Sequence, residues 1–146
     1  MTTRSKNPLE TSAAHLLHRA GQRGADIFAE EAKKGGLTPR QYAVLTAVSQ
    51  EEGLPQAELV SRTGIDRSTL ADIVARLLGR GLIQRRRAKE DGRAYAIKLS
   101  AKGTKALAKA KPAASAADAK LLAGLSATKR NEFLKTLSAV VAAGDN

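Results

Sequence analysis

The stretch from Val60 to Gly103, VSRTGIDRSTLADIVARLLGRGLIQRRRAKEDGRAYAIKLSAKG, leaves this chain few ways to fold. A short helical pattern closes on Thr63-Gly64, and glycine, which enters positive φ without steric cost, marks a tight turn there. Asp66 is placed to cap a second helix, whose apolar residues Leu70, Ile73, Val74, Leu77 and Leu78 recur at helical spacing. Two strand patterns follow, Leu82 to Arg87 and Arg93 to Leu99, joined by Lys89-Glu90-Asp91-Gly92, in which Asp-Gly is a hairpin pair. Helix, glycine turn, helix and charged hairpin, in that order, predict a winged helix-turn-helix in a mainly α (α+β) chain.

The flanks read as helices. Asn7-Pro8-Leu9-Glu10 is a start signal, and Ala13, Leu16, Leu17, Ala20, Gly24, Ile27 and Phe28 predict one long helix to about Lys34, stopped by Gly35-Gly36. Thr38-Pro39-Arg40-Gln41 repeats the signature as a capping box, and Pro55 opens a third, short helix. Ser100 caps a fifth helix that Pro112 is expected to kink or break, and Ser126 caps a last one with Phe133, Leu134, Leu137, Val140 and Val141. The terminal helices are apolar without an evident partner in so short a unit. The expectation is that they pack against a second copy, giving a two-fold homodimer. The chain then divides into an N-terminal arm and dimerisation helix (1–36), a winged helix-turn-helix (37–103) and C-terminal dimerisation helices (104–146).

Charge points to the partner. The net charge is +11 and the isoelectric point about 10.4, and the excess is largest over residues 53–103. A basic helix-turn-helix segment implies double-stranded DNA. The first turn of the second helix offers Arg67, Ser68 and Thr69 to the groove, with Asp72 and Arg76 further along, and Arg67 is the foremost candidate for base readout, since Arg bonds guanine bidentately. In the hairpin, alternation splits Arg85-Arg86-Arg87 across two faces. Arg86, Lys89 and Arg93 are the candidates for contact there, Arg93 held by Asp91 and aimed at a minor groove.

Other chemistry is poorly provided for. With no cysteine there is no disulfide, thiolate metal site or thiol redox sensor. His15 and His18 share a helix face but lack the further ligands zinc needs, so no metal is expected. No Ser/His/Asp spacing, phosphate-cradling loop or carboxylate pair suggests catalysis or a cofactor. The chain has neither a membrane-spanning apolar run nor a signal-peptide core near Met1, so the cytoplasm is expected.

Residues 89–103, KEDGRAYAIKLSAKG, resemble the wing signature of the MarR (multiple antibiotic resistance regulator) family. Asp91, Arg93, Ala94, Leu99, Ser100 and Gly103 fit it, whereas Ala88, Lys89 and Gly92 depart from it at the tip. The resemblance implies a homodimer with interlocking first and last helices, its winged lobes bound to an inverted repeat through Arg67, Ser68, Thr69, Arg76 and Arg93. It also implies a small-molecule effector, an aromatic acid or an acyl-CoA thioester, seated where the dimerisation helices meet the winged lobe. The matching walls here carry His15, His18, Arg19, Gln22, Arg23 and Arg40, cations that suit a carboxylate or phosphate. Repression by occluding a promoter is the expectation, with activation left open. The rival readings are a sequence-independent architectural DNA binder and a winged-helix protein-interaction module.

Overall fold

The computed structural model describes residues 7–33, 36–87 and 95–144, Tyr95 by its backbone alone. A single 3-10 turn, Pro8–Thr11, leads into α1 (Ala13–Ala32) and α2 (Pro39–Gln50). Then come β1 (Leu54–Pro55), α3 (Gln56–Thr63), α4 (Arg67–Gly79), β2 (Ile83–Arg87), β3 (Tyr95–Leu99), α5 (Ala101–Leu121) and α6 (Ala127–Ala143).

The core lies under the winged unit. Val44, Leu45 and Val48 of α2, Leu59 of α3, and Leu70, Val74 and Leu77 of α4 meet Leu82 and Ile97 with almost no exposure to solvent. These residues repeat at the three- and four-residue spacing that gives a helix one buried stripe. Leu107 and Ala110 of α5 belong to the same core, so its first turns are packed onto the winged unit, and residue 103 lies inside a helix. Gly103 is required at that junction: a Cβ there would lie 1.9 Å from the Leu82 carbonyl oxygen.

Four expectations are corrected. The N-terminal signal at Asn7 does not begin a long helix. Asn7 caps only the 3-10 turn, accepting from the Leu9 amide at 3.0 Å, and Ser12, itself extended, begins α1 by accepting from the His15 amide at 3.4 Å. The expected stop at Gly35-Gly36 comes early: α1 ends at Ala32, and Lys33 takes the left-handed turn with φ 62° and ψ 177°. Third, the sheet has three strands, in order β1-β3-β2, because Leu54 and Pro55 pair with Ile97 and Ala96. A two-residue strand has no alternation to read, and Pro55 serves as the cap of α3 instead of its first residue. Finally, of the kink or break expected at Pro112 the break does not occur, and α5 continues to Leu121. Burial of Leu107 and Ala110 before the proline and Ala117 after it holds the helix across the missing N–H.

α1 runs along α5 of its own chain. Gly24 makes room for Leu121, whose Cδ2 would be 3.2 Å from a Cβ there, and Glu31 pairs with Lys120. So α5 finds an intrachain partner, which the sequence reading did not give it. α6 is different and buries no residue. Leu134, Val140 and Val141 on α6 stand exposed, as do Leu9, Leu16 and Leu17 near the start of the chain. No described helix is long and apolar enough to cross a membrane.

Candidate nucleic-acid interface

The turn between α3 and α4 is built from its own backbone. Gly64, at φ 72° and ψ 8°, ends α3 and donates its amide to the Val60 carbonyl at 2.9 Å. The Thr63 hydroxyl donates to the Leu59 carbonyl at 2.6 Å and accepts from the Ile65 amide at 3.2 Å. The chain therefore emerges into α4 with the Gly64 and Ile65 amides satisfied and its direction set, which a helix-turn-helix requires.

Asp66 caps α4. The Thr69 hydroxyl and amide and the Ser68 hydroxyl all donate to its carboxylate, the amide at 3.1 Å and the Ser68 hydroxyl at 3.0 Å, and they hold its pKa at about 2. Leu70, Ile73, Val74 and Leu77 bury one face of the helix. On the opposite side Ser68, Asp72, Ala75 and Gly79 form the exposed midline, while Arg67 and Arg76 are exposed on the two flanks, about half a turn apart. Arg67 and Arg76 thus straddle the helix. The foremost candidate for base readout sits beside the midline, and Ser68 is on it. Thr69 is partly buried, its hydroxyl turned to the cap.

In the wing, the register pairs Ile83 with Leu99, Arg85 with Ile97 and Arg86 with Ala96. Cross-strand partners share a face, so Arg85 and Arg87 lie on the side of Ile83 and Ile97, while Arg86 lies on the other with Gln84 and Lys98. The expected division of the arginine triplet is present, and Lys98 joins Arg86 on its face. Lys89, Arg93 and Asp91 lie outside the described residues.

Two depressions lie away from this surface. An open groove of about 890 Å3 along α1 is lined by Arg19, Gln22 and Arg23 together with Asp26, Glu30 and Lys120. The carboxylates there offset the cations, a balance that the sequence reading, which named no acidic residue in this region, missed. A smaller cleft of about 360 Å3 lies between α1, the start of α2 and α5, walled by Phe28, Pro39, Tyr42, Ala117 and Leu121, with Asp118 at its edge. The Phe28 and Tyr42 rings are 5.7 Å apart and tilted by 51°. His15, His18 and Arg40 line neither depression, although Arg40 follows Pro39 in the first turn of α2. Among the described residues no group of His, Asp and Glu could hold a metal ion.

Residues 35–94, which span the helix-turn-helix and reach into the wing, match the model of the MarR family. The transcriptional regulator HosA of Escherichia coli is 32% identical over 127 residues, covering 87% of this chain and 93% of that protein. The chain belongs to the MarR family. Among solved structures, the MarR-like fold is shared with the PcaV transcriptional regulator of Streptomyces coelicolor in complex with its natural ligand. That structure has a TM-score of 0.88 and 30% identity, over 97% of this chain and 99% of PcaV. It is shared also with the transcriptional repressor CouR bound to a 23-mer DNA duplex, with a TM-score of 0.85 and 28% identity, over 96% of this chain and 99% of CouR. Membership of a MarR family of transcription regulators sets catalysis aside as this chain's role.

Proposed function

We propose that this chain represses transcription as a homodimer. Each copy seats α4 in the major groove of one half of an inverted repeat, and a small aromatic acid in the cleft between α1, α2 and α5 releases the DNA. One observation carries the reading: a helix-turn-helix presents the polar face of α4 on a scaffold whose apolar ends, Leu9, Leu16 and Leu17 with Leu134, Val140 and Val141, are left uncovered. A second copy laid against those ends would bury them and set two recognition helices at a fixed spacing. The winged unit at 37–103 reads DNA and the segments at 1–36 and 104–146 join the copies. Arg67, Ser68, Thr69 and Arg76 meet the major groove, and Arg86, Lys89 and Arg93 meet the backbone and minor groove. The CouR complex supports the DNA-bound geometry.

The cleft favours a single aromatic ring. Its volume, about 360 Å3, suits a small ligand, and its walls are mainly apolar. BpsR of Bordetella bronchiseptica, 26% identical to this chain, has its DNA binding regulated by 6-hydroxynicotinic acid. Arg40, which follows the lining residue Pro39 in the first turn of α2, would supply a cation for the carboxylate. Should the effector be a coenzyme A thioester, only its acyl group fits, leaving the phosphates to Arg19 and Arg23 in the outer groove. Gln22 lines that groove as well, and His15 and His18 lie further toward the start of α1. A repressor of this kind acts in the cytoplasm.

Sedimentation of the full chain, selection of duplexes from a random pool and titration with 6-hydroxynicotinic acid or salicylate test the reading together. The expected results are a dimer, an enriched palindrome and a ligand-weakened complex. Equal affinity for every duplex would instead make the chain an architectural DNA binder.

A further inference from the structure

The bonding at the head of α4 says what kind of base edge the helix reads. This inference rests on α4 being the recognition helix. The midline of its exposed face holds two polar side chains, Ser68 and Asp72, one helical turn apart, followed by the small residues Ala75 and Gly79. The proton of the Ser68 hydroxyl is committed inward, to the Asp66 carboxylate at 3.0 Å. That carboxylate stays ionised at any pH at which DNA is bound, with its pKa near 2. A charge-assisted bond of this kind is stronger than a neutral one, and it polarises the serine oxygen into a better acceptor. Ser68 therefore shows the groove lone pairs only. The Asp72 carboxylate likewise offers acceptor oxygens.

We propose that Ser68 and Asp72 read exocyclic amino groups, adenine N6 or cytosine N4, on the major-groove floor, and that neither contacts phosphate. A phosphate oxygen is an acceptor and an anion. At Ser68 it would have to break the bond to Asp66 and then lie beside that carboxylate, and at Asp72 it would meet like charge directly. An amino group needs no rearrangement: it donates to an oxygen already polarised to receive it. Arg67 and Arg76, on the flanks, are left to guanine edges or to the backbone on either side. The midline thus selects for donors and the flanks for acceptors, which makes the two sets complementary across neighbouring base pairs.

The test uses the full chain and the palindrome it enriches from a random duplex pool. In that palindrome each adenine is replaced in turn by purine, and each cytosine by 2-pyrimidinone, which removes the amino group alone. The expected result is one position per half-site where the deletion weakens the native protein about 3- to 10-fold. At that position Ser68→Ala should be nearly indifferent, and the salt dependence of Ser68→Ala should match that of the native protein. A second position should respond in the same way to Asp72→Ala, which removes the acceptor. The proposal is overturned if Ser68→Ala weakens all duplexes alike and lowers the salt slope by about one, the mark of a phosphate contact. It is also overturned if every amino deletion costs the native and variant proteins the same. A pool that enriches no sequence would overturn the recognition-helix reading as well, which separates that failure from this one.

Discussion

The Gln41 Oε1 accepts both the Thr38 amide, at 3.2 Å, and the Arg80 guanidinium, at 3.3 Å. One oxygen therefore closes the capping box of α2 and holds the end of α4, thirty-nine residues further along the chain. Gln41 is the one buried polar side chain among the described residues. Lys102 donates to the Arg80 carbonyl at 3.0 Å and Ser100 to that of Gly81 at 2.6 Å, so the same turn is fastened to α5 as well. Pro39 and Tyr42, on either side of Gln41, also wall the apolar cleft.

That bond has a measurable consequence. Gln41→Met keeps the volume but removes the oxygen that accepts from both Arg80 and the Thr38 amide, and so undoes half of the α2 cap. A loss of about 1–3 kcal/mol in urea-unfolding stability is expected, the net worth of the two hydrogen bonds that this oxygen accepts, one of them from a charged group. Arg80→Ala, which removes the donor, should cost less. Equal losses, or none, would show that the contact does not anchor α4.

Gly103→Ala should be among the most damaging small substitutions in the chain. Its methyl group would lie 1.9 Å from the Leu82 carbonyl oxygen, which is backbone and cannot rotate away. Prising α5 from the start of β2 is expected to cost about 3 kcal/mol or slightly more, at the upper end of overpacking penalties. Thermal unfolding would register it as a large fall in the midpoint. A midpoint within a degree of the native protein would contradict the close approach.

Lys33→Gly should stabilise the protein. Lys33 sits at φ 62° and ψ 177°, a region that is nearly exclusive to glycine and costs other residues roughly 1–3 kcal/mol. Glycine's greater freedom in the unfolded chain takes back part of that relief. The net gain expected is about 1 kcal/mol by denaturant unfolding, and Lys33→Ala, which keeps a Cβ, should give none of it.

Acid should act through Asp66. Hydrogen bonds from Thr69 and Ser68 lower its pKa from 3.8 to about 2. Because the folded value is depressed, the stabilisation is fully present above pH 3.8 and fades as pH falls toward 2. Asp66→Asn keeps a capping oxygen but cannot titrate. The difference between native and variant urea midpoints should therefore be constant near neutrality and shrink between about pH 4 and pH 2. A pH-independent difference would mean the carboxylate gains nothing from its donors.

How much was legible in the sequence depended on the range of the interactions. The capping box at Thr38, the turn at Gly64 and the caps at Asp66, Ser100 and Ser126 involve residues two to four apart, and all are present. The buried stripe of α4 follows from its spacing alone. Even the Ser68 bond is local, an Asp-x-Ser pattern whose hydroxyl turns back on its cap. Apart from the start of α1 at Ser12 and its stop at Lys33, what escaped notice needed a partner far along the chain. The strand at Leu54 exists only because Ile97 lies beside it. Pro112 stays helical because α5 is packed on both sides of it, and the aromatic wall of Phe28 and Tyr42 joins two helices.

By itself, then, the order of residues determined where α2, α4, α5 and α6 begin, which face of α4 is apolar, and that the basic excess is largest in the winged segment. Only the tertiary structure decided that Arg67 flanks the midline while Ser68 occupies it, that Arg80 is held by Gln41, and that α5 packs along α1 of its own chain while α6 buries none of its residues. The reason is physical. Caps and amphipathic spacing are fixed by neighbours within a turn, whereas the direction a side chain finally takes is set by what the rest of the chain packs against it.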